Sequence, residues 1–224
     1  TTQSITASTS GSYSCTNNGN TSNSIAVTVN PIPATPTISN SGATTLSIGG
    51  NFIQSGVIFD QRPANATSTA VVSVSGNFLL SGGTYDISGT DNATGALNIS
   101  GNFSYSAGTL TESGGGTSNG AILFNGSSSQ TFTSGGTVSN AINYTVNTGS
   151  TLQMAAATTV VNGNSFILLA GSTLGITSTN GITASIATAT GNIRTTGART
   201  FNIGANYIYN GAGGAQVSGS RLPA

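Results

Sequence analysis

The 224-residue chain is almost uncharged: it has four Arg, four acidic residues, no Lys and no His, so its net charge is zero. A chain without a basic patch is a poor ligand for nucleic acid or an anionic membrane. The missing His and the single Cys exclude Ser/His/Asp and Cys/His nucleophile systems, an internal disulfide and most transition-metal sites. Val, Ile, Leu, Phe and Tyr recur steadily among Ser, Thr, Asn and Gly, which predicts a folded all-β protein.

Residues 1–30 predict the last strands of an immunoglobulin-like β-sandwich. Gly11-Ser12-Tyr13-Ser14-Cys15 and Ser24-Ile25-Ala26-Val27-Thr28-Val29 are expected to pair as a hairpin. The Tyr two residues before the Cys has the spacing of a tyrosine corner. Residues 31–40, with Pro31, Pro33 and Pro36, predict a stiff extended linker, so we expect the boundary between two domains there.

Residues 41–224 contain an internal repeat. Leu46-Ser47-Ile48-Gly49-Gly50-Asn51-Phe52 is echoed at 72–78, at 97–103, in degenerate form at 122–126 and late in the chain at 201–207. Two further apolar alternations start at Tyr144 and Phe166. The repeat length is therefore about 22–26 residues, which fits one coil of a solenoid. Because each strand is too short to bury its apolar face alone, the repeat predicts a right-handed parallel β-helix, or β-solenoid, in which coils stack on one another. We expect the native polypeptide to continue beyond residue 224.

An asparagine follows the turn of four repeats at the same offset: Asn51, Asn77, Asn102 and Asn206. One interpretation is a stacked ladder of amides along one corner of the solenoid. The other is that Asn only tolerates a left-handed turn conformation.

Two carboxylates fall at equal offsets from the start of their repeats. Asp60 follows Leu46 at the same distance in sequence as Asp86 follows Val72, whereas Glu112 is one step further along its repeat and should face the other way. Stacked aspartates could hold Ca²⁺, with Arg62 as a base in a lyase-like site. In the simpler interpretation, which a non-catalytic module predicts, they lie apart in solvent at a coil edge.

Arg194 and Arg199 flank Thr195-Thr196-Gly197 and could clamp an anionic glycan, although two isolated Arg on a neutral rod usually serve solubility. Any affinity for a ligand is expected from flat Asn/Thr/Ser-lined faces or from aromatic residues such as Tyr105, Tyr207 and Tyr209. No apolar run approaches the roughly 20 residues that cross a bilayer as a helix.

The chain resembles the long extracellular proteins of Bacteroidota that are exported by type IX secretion and mix immunoglobulin-like with β-helical repeats. The likeness is carried by Tyr13-Ser14-Cys15 with Val27-Thr28-Val29-Asn30-Pro31, by the Gly-Asn repeats, and by the tail from Arg199 to Tyr207 and on to Leu222-Pro223-Ala224. The resemblance implies an adhesin or a surface-layer component. The C-terminal sorting domain that this export route uses is not recognisable in the sequence.

Together these features predict a non-catalytic structural or adhesive module of a large bacterial cell-surface protein, without cofactor, catalytic residues or a resident metal. Its expected partners are other modules of the same polypeptide, surface glycans or other cell-surface proteins, and neither nucleic acid nor a membrane interior. The alternative is a Ca²⁺-dependent glycan-binding or polysaccharide-lyase-like β-helix with its site at Asp60 and Asp86.

Overall fold

The structure of the chain is a computed structural model. It describes residues 11–13, 16–17, 20–21, 25–27, 44–61, 69–89, 94–114, 120–183, 189–211 and 215–222. The chain divides into two compact units, Thr1–Ala34 and Thr35–Ala224. The predicted linker at 31–40 and the predicted base Arg62 lie outside the described residues. Within these ranges the chain forms only strands, turns and bends, and no helix there could cross a membrane.

The first unit contains short antiparallel strands. Strand β1 pairs with β4 and strand β2 with β3. Their bounds are β1 Gly11–Tyr13, β2 Thr16–Asn17, β3 Asn20–Thr21 and β4 Ile25–Val27. The antiparallel pairing predicted between the two alternations is therefore present, and membership of the immunoglobulin-like class stays a prediction.

The second unit is a β-solenoid built from two parallel sheets. The first sheet consists of β5 Thr44–Ile48, β7 Thr69–Val74, β9 Thr94–Ile99, β12 Gly120–Phe124, β15 Asn143–Val146, β17 Ser165–Leu168 and β19 Arg199–Phe201. The second consists of β6 Phe52–Asp60, β8 Phe78–Asp86, β10 Phe103–Tyr105, β11 Thr109–Thr111, β13 Ser129–Ser134, β14 Thr137–Val138, β16 Thr151–Met154, β18 Thr173–Ile176 and β20 Asn206–Tyr209.

The register of the first sheet gives the length of each coil. One row of paired positions runs through it: Leu46, Val72, Leu97, Ile122, Tyr144, Phe166 and Arg199. From Leu46 to Phe166, each member of the row lies one sequence repeat after the last, which confirms the predicted coil length. The final step, from Phe166 to Arg199, is longer than any of these. The chain makes an additional pass there, in which Ile193 bridges back to Val161, before it returns to the sheet.

The second sheet has two legs in its early coils. The first half of β8 pairs with β10 and its second half with β11, so a single strand turns a corner. From the second leg the chain returns to the first sheet between β6 and β7, between β8 and β9, and between β11 and β12.

Aromatic rings stack along the solenoid interior. Phe52, Phe78, Phe103 and Phe132 form a phenylalanine column in which neighbouring ring centroids are 5.1, 5.1 and 5.2 Å apart. In the second leg Tyr85 stacks on Phe59 at 5.0 Å. Such pairs add about 0.5–1.5 kcal/mol each to the gain from burial. The column is possible because the parallel register brings the same inward position of each coil directly above the last.

Candidate functional site

Asp60 and Asp86 are direct register partners on adjacent coils, and both side chains are buried, with exposed fractions of 8% and 7%. The expectation that they lie apart in solvent is therefore wrong. The offset argument placed them in the same row correctly, but it could not show that this row lies in the second leg, below the surface of the solenoid.

Asp86 is held by the turn that follows it and by the next coil. Its Oδ1 accepts hydrogen bonds from the main-chain N–H groups of Ser88 at 3.3 Å, Gly89 at 3.1 Å and Ser113 at 3.1 Å. The Ser113 hydroxyl donates to the second oxygen, Oδ2. These bonds give the carboxylate a structural role, because they fasten the end of β8 to the coil above it.

Glu112 lies beside this pair but outside its row, because Thr111 is the register partner of Asp86. Its side chain is 1% exposed and accepts a hydrogen bond from the Ser88 hydroxyl at 3.2 Å. Burial raises the pKa of Glu112, the hydrogen bond from Ser88 partly offsets this, and the negative charge of Asp86 raises the pKa again. The group thus sits in surroundings that favour its neutral form.

The arrangement is a poor match for calcium. Ca²⁺ takes six to eight oxygen ligands, whereas both oxygens of Asp86 already accept hydrogen bonds. Among the described residues, no three His, Cys, Asp or Glu side chains are grouped as a metal site would require. The lyase-like hypothesis also needs Arg62, which lies outside the described ranges.

The asparagines after the turn form a ladder from side chain to main chain. Asn51 Oδ1 accepts the N–H of Asn77 at 2.8 Å, and Asn77 Oδ1 accepts the N–H of Asn102 at 2.8 Å. Asn102 Oδ1 in turn accepts the N–H of Thr131 at 2.7 Å. Each asparagine side chain therefore accepts a hydrogen bond from a main-chain N–H group at the turn, where the sheet provides no main-chain acceptor for it.

Asn206 lies outside this column. It pairs with Thr173, and its N–H donates to the Ser172 carbonyl. The reason is that the turn between the two sheets is longer in later coils. Tyr209, two residues after the Tyr207 of the sequence motif, therefore lies in the row of Met154, and Met154 pairs with Phe132 of the phenylalanine column.

The two arginines singled out for a clamp point to different places. Arg194 donates to the carbonyls of Gly191 at 2.9 Å and Thr190 at 3.1 Å. Arg199 lies in the apolar row of the first sheet, is 4% exposed, and donates through Nη1 to the Ile193 carbonyl at 3.3 Å. The two arginines form no clamp, because Arg194 bonds the carbonyls of its own turn and the Arg199 side chain enters the interior.

Of the aromatic residues named as candidate contact points, Tyr105 is not available at the surface. It is 1% exposed, its hydroxyl donates to the Val160 carbonyl at 3.1 Å, and burial raises its pKa to about 12. Tyr207 and Tyr209 are half-buried on the last strand. The Tyr209 hydroxyl donates to the Ser218 carbonyl at 2.9 Å.

Buried amides that sequence reasoning missed fasten the corners of the coils. Gln130 Nε2 donates to the carbonyls of Ile99 and Gly101, and its Oε1 accepts the Gly126 N–H. Gln216 makes the same three kinds of bond at the corner after the last strand, β20: it donates to the Ile176 and Ser178 carbonyls and accepts the Gly211 N–H. Asn192 does so in the additional pass, with donors to Ala156 and Thr159 and acceptors for Thr177 and Ser178. An isolated Gln in a polar chain gives no sequence signal for such a role.

The described residues therefore contain buried amides and carboxylates that bond one coil to the next, and one buried arginine. Comparison with known proteins adds no relative: no protein-family model, no curated protein and no solved structure matches the chain.

Proposed function

We propose that this chain is a non-catalytic extracellular module, a stalk or adhesive segment of a large bacterial cell-surface protein. Its partners would be further modules of the same polypeptide and surface glycans or proteins of the environment. The observation that carries the proposal is the use made of polar side chains: Asp86, Gln130 and the asparagine ladder all hold coil to coil. In such a molecule the buried and stacked polar side chains serve to hold a repeating frame together.

The near absence of charge supports the same proposal. A coil that stacks on its copies places equal side chains one strand spacing apart, about 4.8 Å, where like charges repel. Ser, Thr and Asn keep the faces soluble without that repulsion, so the composition suits a long repeating element that must stay extended between a cell and what it touches.

The experiment is deletion of one complete coil. Removing residues 72–96 joins Val71 to Leu97, and because Val71 and Ala96 are register partners the new junction reproduces an existing one. A repeating stalk should fold with one coil fewer, keep its β-sheet circular dichroism, and hold coated beads on immobilised glycans as well as the intact chain does. The control removes residues 72–84, about half a coil, and should be strongly destabilised because the coils on either side of the deletion can no longer pair in register.

Loss of folding in the complete-coil deletion, to the same extent as in the half-coil control, would contradict a repeating spacer. If the complete-coil deletion folds but no longer holds the beads, a specific binding site would instead lie in the removed coil, which contains Asp86.

One observation favours the alternative of a Ca²⁺-dependent glycan-binding or lyase-like site, namely the register pairing of Asp60 and Asp86. It predicts that Ca²⁺ raises the thermal unfolding midpoint and that Asp86→Asn abolishes the rise. The stalk proposal predicts equal midpoints in Ca²⁺ and in chelator, because Asp86 is satisfied by Ser113 and the turn amides.

A further inference from the structure

The charges of this chain are segregated along its length. All four acidic residues lie between Asp60 and Glu112, together with Arg62, whereas the other three arginines, Arg194, Arg199 and Arg221, lie at the far end. No acidic residue follows Glu112 in the sequence, so the last half of the chain has three positively charged side chains and no negative one.

Two of these arginines meet at the last coil. Arg199 stands in the row that Phe166, Tyr144 and Ile122 fill with apolar side chains in earlier coils. Arg221 follows the last bridge of the solenoid: its main-chain N–H donates to the Ile182 carbonyl at 3.2 Å, and its Nη2 donates to the Arg199 carbonyl at 3.5 Å.

A depression of about 320 Å³ lies between them, lined by Arg199, Thr200, Phe201, Arg221 and Leu222. Thr200, Arg221 and Leu222 are exposed, while Arg199 and Phe201 are buried and form the inner side. Its volume is at the lower end of the range for small-molecule sites, and it offers cationic groups, a hydroxyl and apolar carbon together.

The two positive charges are unfavourable to each other. Burial lowers the pKa of Arg199, and the charge of Arg221 lowers it further. A bound anion would relieve both effects, since it would supply the opposite charge that the surrounding sequence lacks, and a guanidinium binds a carboxylate through parallel N–H···O bonds.

We propose that this depression is a binding site for the carboxylate of an acidic saccharide, with Arg221 and Arg199 holding the carboxylate, Thr200 bonding a sugar hydroxyl, and Phe201 and Leu222 contacting the ring. The inference deepens the proposed adhesive role and rests on it for the nature of the ligand. It moves the glycan site from the predicted Arg194 and Arg199 pair to Arg199 and Arg221.

The test is calorimetric titration of the full chain with glucuronate, with glucose as its uncharged counterpart and with inorganic sulfate, all at constant ionic strength. Glucuronate should bind saturably and glucose should not. Arg221→Gln should weaken glucuronate binding roughly tenfold, the loss of one charge-assisted pair. Arg194→Gln is the matched control and should leave binding unchanged, because Arg194 only bonds the carbonyls of its own turn.

Three outcomes would overturn the proposal. The first is no saturable binding of glucuronate, and the second is binding of sulfate alone, which would leave a simple anion site. The third is concentration-dependent self-association in light scattering that Arg221→Gln abolishes and glucuronate does not compete for, which would assign a surface of a second copy to the depression. None of them affects the coil-deletion experiment, so failure here is distinguishable from failure of the proposed stalk.

Discussion

Replacing Gln130 by Ala should destabilise the solenoid far more than its polar character suggests. The side chain is 1% exposed and makes three hydrogen bonds, to the Ile99 carbonyl at 3.0 Å, the Gly101 carbonyl at 2.6 Å and the Gly126 N–H at 2.9 Å. Truncation leaves these main-chain groups without their partner. At about 1 to 1.5 kcal/mol for each of the three lost bonds, the free energy of unfolding should fall by about 3–4.5 kcal/mol.

The measurement is urea denaturation followed by far-UV circular dichroism, with Gln153→Ala as the control. Gln153 also bonds two groups, the Met154 carbonyl and Asn210 Oδ1, each at 3.1 Å, but it is half-buried, so water can replace its bonds. Its loss should cost less than about 1 kcal/mol. Equal losses in the two variants would refute the reasoning that burial of the amide decides its contribution.

Three further perturbations test the ladder, the packing and the buried carboxyl. Asn77→Ala removes an acceptor of the asparagine ladder and should lower the urea midpoint by the equivalent of roughly 0.5–1.5 kcal/mol, while Asn206→Ala, outside the column, should change it little. Gly101→Ala should destabilise by roughly 1–3 kcal/mol, since a Cβ there would collide with a main-chain carbonyl of the preceding coil and lie 2.8 Å from Asn77 Oδ1, whereas Gly50→Ala meets nothing within 4 Å. Because the pKa of Glu112 is raised in the folded state, its contribution is complete below the ordinary carboxyl value of 4.5 and is lost as pH rises through the folded value. Thermal midpoints measured across that range should therefore fall with pH in the parent and fall less in Glu112→Gln; parallel curves would contradict this.

The repeat is sufficient to predict most of the solenoid. Apolar alternation alone picks out Leu46, Val72, Leu97, Ile122, Tyr144 and Phe166, and these residues are successive neighbours in the first sheet. The prediction succeeds because in a parallel solenoid the same inward-facing position recurs once per coil. In the sequence this appears as apolar residues at alternate positions, repeated at a nearly constant spacing.

Prediction failed where the contacts came from outside the repeat. The carboxylate of Asp86 is buried because Ser113, on the next coil, closes over it, and nothing in the local pattern announces that serine. Sequence reasoning places Arg199 on the surface because Arg is rarely buried, yet the strand that carries it keeps the inward phase of its neighbours. The long step from Phe166 to Arg199 has no counterpart in the repeat, and its additional pass is held by the Asn192 side chain and by the bridge between Ile193 and Val161.

The long step from Phe166 to Arg199 bears on how such proteins diversify. The two residues are register partners, as Tyr144 and Phe166 are one coil earlier, although the chain between them is longer and includes an additional pass. Residues can therefore be added between one strand of the first sheet and the next without disturbing the paired positions on either side. A lineage can lengthen a single coil and vary what it presents to its surroundings, while the frame that carries it is inherited unchanged.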